Sequence, residues 1–367
     1  MELMMTIALI AIITPAITFL FAKVSQGMAA DEMHSAMQAG NQTMLNRIHV
    51  RMGGSKHFFF GDQSGVSFVS RLDFSTAPAT VAGTTLPQLQ APVSGVFSLS
   101  VSWSGFSRAD VGNALLFAAY DTPETITKPV AHATPIIYLN SPMTVNCAGV
   151  TDQYGTTKTI IIDLYRFYYY YLTKTGVKNL YDGQDYNLIE WQSIRYADYF
   201  QIQDYGSAGG GGDNTLEANI MACLASQGIS IAYDPSQSDP SQAFVSFGGA
   251  VGYGGSPGSA VTLTNYTILN ETTTNLTRVT AGILTNGFRY GVSPNTINWK
   301  NCPVQIPLYA TVMAAGTEFP NGFEVATGGN SSGREVMIRS VWVAEGASNP
   351  RAVYNDINMV DYIRDIW

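Results

Sequence analysis

The chain has few charged residues for its length. Charged side chains make up 13% of its 367 residues, against roughly 25% in an average soluble domain. The formal net charge is −8 and the sequence contains no cluster of Lys and Arg, so the basic surface that neutralises phosphates is missing. We therefore expect no nucleic-acid partner.

Cysteine is also scarce. Cys147, Cys223 and Cys302 are far apart and form no CxxC pair, which gives no support to a zinc knuckle or a thioredoxin-type redox site. One disulfide with one free thiol and three buried thiols are equally compatible with this spacing.

The residues needed for catalysis are few. The four histidines are His34, His49, His57 and His132. Two of them fall on a predicted helix, which leaves little for a Ser-His-Asp triad or a three-His metal site. Ser256 lies in a G-x-S-x-G pattern, but Pro257 after it has no N–H for an oxyanion hole. We expect no enzymatic activity.

The sequence predicts no cofactor. Asp182 and Asp185, in the segment YDGQDYN, could offer oxygens to Ca²⁺, but their spacing is not that of an EF-hand loop. A plain Asp/Gly turn is the stronger interpretation, so Ca²⁺ stays a weak alternative.

One long apolar segment is present, at the N-terminus. No charge occurs between Glu2 and Lys23, and residues 3–22 would form a helix about 30 Å long, which matches the hydrocarbon thickness of a bilayer. A secretory signal peptide normally begins with basic residues and has a shorter apolar core. Pro15 is tolerated in a membrane helix when hydroxyls such as that of Thr18 satisfy the freed carbonyl. We predict a transmembrane helix over residues 1–22.

An amphipathic pattern follows over residues 23–54. Apolar or small residues recur at intervals of three or four, at Met33, Met37, Gly40, Met44 and Ile48. This spacing predicts that the helix continues to about residue 50 and ends at Gly53-Gly54.

The remainder predicts a β-rich head, in two parts over residues 55–208 and 215–367 with a Gly-rich joint at 209–214. Predicted strands in the first part are HFFFG, GVSFVSRLDF, GVFSLSVSWSGF, PIIYLN and KTIIIDLYRFYYYYLT. The second part predicts a helix over 216–226, the strands GISIAYD, AFVSF, AVTLTNYTIL and REVMIRSVWVAE, and a C-terminal helix in DINMVDYIRDIW. The fold class is therefore α+β, with a long N-terminal helix followed by a β-rich globular head.

The tyrosine-rich run at residues 165–171 has two interpretations. It could form an exposed aromatic surface for adhesion or sugar binding. Tyr also suits strands on steric grounds, and a structural strand is the stronger interpretation.

A long helix with an acid at its start, followed by a β-rich head, resembles the type IV pilin and type II secretion pseudopilin superfamily. The family's mature N-terminus reads close to F-T-L-I-E-L, and Glu2-Leu3 fit its last two positions. The resemblance implies that Glu2 pairs with the terminal amine of a neighbouring subunit. It also implies packing of the membrane helices in the filament, for which the expected residues are Leu3, Ile7, Ile10, Pro15 and Phe19.

The size of the head, together with LIEW at 188–191 and YADY at 196–199, resembles a large minor pilin or a J-type minor pseudopilin. The implied partners are other pilin or pseudopilin subunits, the inner membrane, a prepilin peptidase and an assembly platform. The implied location is the inner membrane with the head in the periplasm, or an extracellular filament. The family has a basic leader ending in Gly, so either the true start lies upstream of Met1 or the leader is missing.

Two other functions compete with a filament subunit. One is a membrane-tethered extracytoplasmic binding or adhesion domain, which would not need Glu2. The other is a tethered hydrolase, which the few histidines and Pro257 disfavour.

Overall fold

The structure is a computed structural model with one long helix, two short helices and three β-sheets in its described part. It describes residues 2–61, 65, 68–81, 83–87, 111–121, 124–126, 137–139, 144–178, 184–207, 214–234, 243–247, 263–270, 278–281, 322–330, 333–346 and 349–363. A long apolar N-terminal helix followed by a β-rich region confirms the predicted α+β class.

Helix α1 (Glu2–Gly53) is continuous over 52 residues, or about 78 Å at 1.5 Å per residue. Pro15 lies inside it without ending it. The helix ends where the sequence predicts, and the N–H of Gly54 donates to the carbonyl of Arg51 at 3.2 Å.

Sixteen strands and two short helices follow α1 in the described part of the chain. The first strands are β1 (Ser55–Phe59), β2 (Val111–Gly112), β3 (Leu115–Tyr120), β4 (Glu124–Ile126), β5 (Ile137–Leu139), β6 (Thr144–Thr151), β7 (Thr157–Lys178), β8 (Gln184–Ser193) and β9 (Tyr196–Asp198). The helices α2 (Tyr199–Ser207) and α3 (Asn214–Ser226) follow. The last strands are β10 (Ile231–Tyr233), β11 (Phe244–Ser246), β12 (Leu263–Ile268), β13 (Arg278–Ala281), β14 (Phe323–Asn330), β15 (Gly333–Gly346) and β16 (Asn349–Ile363).

The largest sheet is built around β7. Its path runs β1-β3-β7-β9-β10-β11, with β6 and β8 also paired to β7 and β12 paired to β8. The first part of β7 forms an antiparallel hairpin with β6, and the later part lies between β3 and β8. Strands from both sides of the Gly-rich segment therefore share one sheet.

A second sheet is built around β15. Strands β13 and β14 pair antiparallel with β15, β16 pairs with it as well, and β2 extends β14. Strands β4 and β5 form a separate two-stranded pair.

The C-terminal half of α1 lies in the core between these two sheets. One hydrophobic cluster joins Met37 and Ile48 of α1 to Phe117 and Tyr170 of the large sheet and to Ile338 of the second sheet. The opposite face of the large sheet carries another cluster, which includes β1, β7 and β8. The β6–β7 hairpin packs on α2 and α3 in a third.

Seven of the nine predicted strands overlap a described strand, and the other described strands were not predicted. The matches are β1 with HFFFG, β5 with PIIYLN and β7 with KTIIIDLYRFYYYYLT. The four predicted strands of the second part overlap β10, β11, β12 and β15. The predicted helix at 216–226 is confirmed as α3. The predicted strand in GVFSLSVSWSGF and the Gly-rich residues 209–213 lie outside the described residues, and residue 214 begins α3.

Two predicted elements were wrong. The C-terminal DINMVDYIRDIW contributes to strand β16 instead of a helix, because it pairs with β15 from Arg334↔Ile363 to Gly346↔Asn349. In GVSFVSRLDF the described residues form a helical turn at Phe68 and Val69 instead of a strand. There Phe68 and Leu72, four residues apart, both enter the core.

Candidate functional site: helix α1 and its junction with the head

The apolar side chains in the N-terminal half of α1 are exposed around the whole helix, and we call residues 3–28 the bare half. Fourteen large apolar side chains between Leu3 and Met28 are exposed, for example Leu3 at 76% and Phe19 at 65%. The most apolar 18-residue window of α1 has a mean hydropathy of 2.3, and none of it is buried. By length and composition α1 can span a membrane, and its exposure distinguishes it from the core helix of a soluble protein.

The expected packing residues lie on this bare stretch but not all on one side. At about 100° per residue, Leu3, Ile7 and Ile10 share one side of the helix, whereas Pro15 and Phe19 lie further round. All five are exposed. Glu2 is the first residue of α1.

A stripe of small residues, which the sequence analysis missed, runs along the same stretch. Its members are Ala11, Pro15, Thr18, Ala22, Ser25 and Ala29, spaced by four and three residues in turn. This heptad spacing places them on one face. Small residues on one face allow two membrane helices to approach closely.

Two polar side chains of the bare half, Thr18 and Lys23, have local partners. The hydroxyl of Thr18 donates to the carbonyl of Thr14 at 2.8 Å. Pro15 has no N–H and therefore frees the carbonyl one turn before it. Thr18 does not make the expected bond to that freed carbonyl. At the end of the apolar segment the Lys23 ammonium lies 5.6 Å from the ring centroid of Phe19. The first charge after the predicted span thus sits against the last turn of that span.

From Met33 onward the helix changes from bare to buried. Met33, Met37, Met44 and Ile48 are each 5% exposed or less, as their spacing predicts. Between them, Arg47 is also buried, at 8%. No local sequence pattern predicts that this arginine lies in the core instead of on the solvent face.

Arg47 is buried because it meets Glu190 of β8. Arg47 Nε and Nη2 donate to the two carboxylate oxygens of Glu190 at 2.8 and 2.7 Å, a bidentate pair. The Tyr170 hydroxyl and the Gln192 amide donate to the same carboxylate at 2.8 and 2.5 Å. Arg51 lies close by, with its Nε 3.5 Å from Glu190 Oε2 and its Nη1 donating to the Tyr168 hydroxyl at 2.9 Å.

Burial and the charges in this cluster determine which of its groups are protonated. Burial alone would raise the pKa of the Glu190 carboxyl, but the Arg47 and Arg51 guanidiniums outweigh it and lower the pKa to about 2. Burial raises the pKa of the Tyr168 hydroxyl to about 12, and that of Tyr170 rises well above its usual value for the same reason. Glu190 is therefore ionised and both tyrosines are neutral at neutral pH.

Two more polar side chains attach α1 to the second sheet. The Asn41 amide donates to the Ser340 carbonyl at 3.2 Å and to Asn355 Oδ1 at 2.8 Å. His49 Nδ1 lies 2.8 Å from Asp361 Oδ2. The C-terminal half of α1 is thus bonded to both sheets, which fixes the orientation of the head relative to the helix.

The tyrosine-rich run is buried on both faces. Tyr165, Tyr168, Tyr169, Tyr170 and Tyr171 are each no more than 1% exposed. Alternate residues enter the two clusters on opposite faces of the large sheet. The run is therefore core, and the interpretation as an exposed adhesive surface was wrong.

Two of the three cysteines form a disulfide, so the arrangement with three thiols is wrong. Cys147 of β6 and Cys223 of α3 form a disulfide across 76 residues of sequence, and Cys302 lies outside the described residues. The bond attaches the β6–β7 hairpin to α3.

The structure does not describe the side chains of several other candidate site residues. Asp182, Ser256, Pro257 and His132 lie outside the described residues, and the side chain of Asp185 is also undescribed. Within the described ranges no group of three or more His, Cys, Asp and Glu side chains could hold a metal ion.

Comparison with known proteins adds no relative. No protein-family profile matches the chain, and no curated protein or solved structure is similar to it.

Proposed function

We propose that the chain is a structural, non-enzymatic subunit of a membrane-derived filament, a minor pilin or minor pseudopilin of a type IV pilus or type II secretion pseudopilus. The observation that carries this proposal is the division of α1. One continuous helix is bare and apolar at its N-terminal half and built into the core of the head at its C-terminal half.

The exposed apolar surface of the bare half must be covered by lipid or by another apolar protein surface. A soluble monomer rarely exposes a large contiguous apolar surface, and α1 exposes one about 30 Å long. Lipid can cover it in the membrane, and the helices of other copies can cover it in a filament. A subunit that moves from membrane to filament exchanges one apolar cover for the other.

Two features of the bare half favour packing between copies. The small-residue stripe from Ala11 to Ala29 allows close approach of helices. An unpaired acid costs up to roughly 2.5–3.5 kcal/mol at the centre of a membrane helix. Glu2, at the start of the span, would bear part of this cost, and the helix N-terminus would offset some of it. Pairing with the terminal amine of a neighbouring copy would remove that cost and set the stagger between helices.

The junction with the head favours a mechanical role. Arg47, Arg51 and Asn41 bond α1 to both sheets inside the core. Buried polar groups with their partners hold one geometry. A displacement of α1 along the filament axis would therefore carry the head with it.

The disulfide supports the orientation in the membrane. Disulfides form and persist mainly in oxidising compartments, and Cys147–Cys223 lies in the head. This favours a head in the periplasm or outside the cell, with the start of α1 at the cytoplasmic side of the inner membrane. Prepilin peptidase, the assembly platform and other pilin-like subunits would be the partners of such a subunit.

A membrane-tethered extracytoplasmic binding domain is the second candidate. The observation that favours it is the exposed outer face of the β6–β7 hairpin, which filament packing by α1 does not use. Such a domain would need α1 only as an anchor and would not depend on the charge of Glu2.

The test is to replace Glu2 by Ala and by Gln in the intact gene and to measure filament assembly or secretion at matched membrane levels of the protein. We expect both variants to insert and fold normally but to lose assembly, because neither offers a carboxylate to the neighbouring amine. Glu32→Gln is the matched control, since Glu32 is an exposed acid on the same helix beyond the span. Normal assembly of both Glu2 variants would exclude the pairing and favour the tethered domain.

A further inference from the structure

The chain contains five N-x-S/T sequons, the tripeptides at which exported proteins accept N-linked glycans. Three of them lie within thirteen residues and are spaced by five, at Asn265, Asn270 and Asn275. The other two begin at Asn41 and Asn330. A sequon can be glycosylated only where its asparagine is accessible, so the structure can separate these five candidates.

Two of the sequons have an asparagine that is built into the core. Asn41 is 0% exposed and its amide is bonded to the second sheet. Asn270 is 1% exposed, and its Oδ1 accepts from the Leu188 N–H at 3.1 Å. Neither amide nitrogen can reach an enzyme from the folded head. Asn275 lies outside the described residues, and the side chain of Asn330 is undescribed.

Asn265 has an exposed side chain near the start of β12. Among the described strands, β12 pairs with β8 only, so its other edge faces no described strand. The register of this pairing shifts between Leu263 and Asn265, and such a shift disrupts the ladder of hydrogen bonds locally. Of the sequon asparagines whose side chains the structure describes, Asn265 is the accessible one.

The strand presents the asparagine and the threonine of this sequon on the same face. Asn265 lies opposite Gln192 and Thr267 lies opposite Glu190, and residues two apart on a strand share one face. Thr267 is half-buried. Within the described part of the chain, neither the Asn265 amide nor the Thr267 hydroxyl has a hydrogen-bond partner. An enzyme that recognises the hydroxyl and modifies the amide therefore finds both groups unbonded and side by side.

The modification also needs the head on the outer side of the membrane, where sequons of exported proteins are used. The Cys147–Cys223 disulfide favours that side, because disulfides persist mainly in oxidising compartments. For this orientation of the head the inference rests on the proposed function. It does not rest on the pairing of Glu2 or on assembly of a filament.

We propose that Asn265 is an N-glycosylation site. The donor is an oligosaccharide joined to a lipid phosphate or pyrophosphate, and a membrane-bound transferase catalyses the step. The Asn265 Nδ2 forms a bond to the anomeric carbon of the first sugar while the bond from that carbon to the phosphate oxygen breaks. The lipid phosphate leaves with the electron pair of that bond, and Nδ2 loses one proton. The product is a glycan joined through an amide nitrogen to the edge of β12.

The test uses the full-length chain purified from its native membrane. A glutamate-specific protease cuts after Glu271 and so separates Asn265 from Asn275, and mass spectrometry with peptide fragmentation assigns the modified residue. We expect the peptide that ends at Glu271 to carry a mass increase of whole sugar residues, located on Asn265 and not on Asn270. An unmodified Asn265, or a glycan on the buried Asn270, would overturn the proposal.

Four variants distinguish this sequon from other sources of added mass. Asn265→Gln and Thr267→Ala should each lose the whole mass increase, whereas Thr267→Ser should keep it, because serine also completes the sequon. Thr272→Ala is the matched control, since it removes the sequon of Asn270 and leaves the buried Asn270 amide in place. It should carry the same mass increase as the wild type. A mass increase that persists in Asn265→Gln would also overturn the proposal.

The Glu2→Gln variant separates this proposal from filament assembly. Its glycan should be unchanged, because the substitution leaves the head and its side of the membrane as they are. If Glu2→Gln assembles normally while Asn265 carries the glycan, the pairing of Glu2 fails and the glycosylation site stands. If Glu2→Gln loses assembly while Asn265 of the wild type is unmodified, the glycosylation site fails and the filament subunit stands.

Discussion

Arg47 and Glu190 form a bidentate ion pair inside the protein, with N–O distances of 2.8 and 2.7 Å, and this pair joins helix α1 to strand β8. The side chain of Glu190 is fully buried. Taking two charges out of water is costly, so a buried pair adds little net stability, but removing one partner leaves the other charge uncompensated. The junction of stalk and head is therefore sensitive to changes at either residue.

Glu190→Gln should lower the free energy of unfolding by about 3–5 kcal/mol, the usual cost of breaking a buried ion pair. The amide keeps the shape of the side chain but leaves Arg47 and Arg51 without a negative charge. The measurement is chemical denaturation of the full chain in detergent. Glu32→Gln makes the same change at an exposed position and should stay within about 0.5 kcal/mol of the wild type. Equal stability of the two variants would contradict a structural role for the pair.

The same carboxylate predicts an acid-dependent loss of stability. The pKa of Glu190 is about 2 in the folded protein, against 4.5 without the fold, so the unfolded chain binds its proton first as the pH falls. The stabilisation is complete above about pH 4.5 and is lost between pH 4.5 and 2. By linkage it amounts to about 3 kcal/mol.

Unfolding midpoints at several pH values between 7 and 2.5 would test this window. The wild type should lose stability more steeply below pH 4.5 than Glu190→Gln, which lacks the titrating group. Parallel decline of the two proteins would show that other carboxylates cause the acid sensitivity.

The long helix could be predicted because its signals are local. An uncharged stretch of membrane length, apolar or small residues at intervals of three and four, and Gly53-Gly54 at the end mark α1 without any long-range contact. The burial of Arg47 could not be predicted this way, because its partner Glu190 lies 143 residues away in sequence.

The C-terminal strand was missed for a related reason. On β16 the residues that face α1 alternate, but two of them, Asn355 and Asp361, are polar and bond to Asn41 and His49. Polar residues on the buried face hide the period of two that marks a strand. The tyrosine-rich run also lacks a visible period of two, but for a different reason. Strand β7 is buried on both faces, so its large apolar and aromatic residues follow one another without alternating with polar ones.

The disulfide leads to a prediction about the head. Replacing both Cys147 and Cys223 by Ser should lower the free energy of unfolding by about 2–4 kcal/mol, because the bond closes a long loop in the unfolded chain. Denaturation with and without reductant would measure the effect in the wild type. In non-reducing peptide mapping the two cysteines should appear linked, and Cys302→Ser should leave that link intact. Free Cys147 and Cys223 in protein taken from the native membrane would contradict the proposed location of the head.

The anchor itself can be separated from the rest of α1 by a matched pair of double variants. Ile13 and Ile17 are exposed on the bare half and lie one turn apart within the predicted span, and Val24 and Met28 have the same spacing just beyond it. Changing Ile13 and Ile17 to Asp should cost about 5–7 kcal/mol of insertion free energy, from roughly 2.5–3.5 per residue. Changing Val24 and Met28 to Asp should cost far less, because those positions lie past Lys23 and outside the hydrocarbon region.

Alkaline extraction of membranes distinguishes the two. The first double variant should move to the soluble fraction, and the second should stay with the membrane like the wild type. Both keep the packing residues from Met33 onward, so the head should fold in each, which chemical denaturation of the two purified variants can report. If both remain in the membrane, the chain is held there by something other than residues 3–22. If both leave it, the anchored segment extends into the helix beyond Lys23.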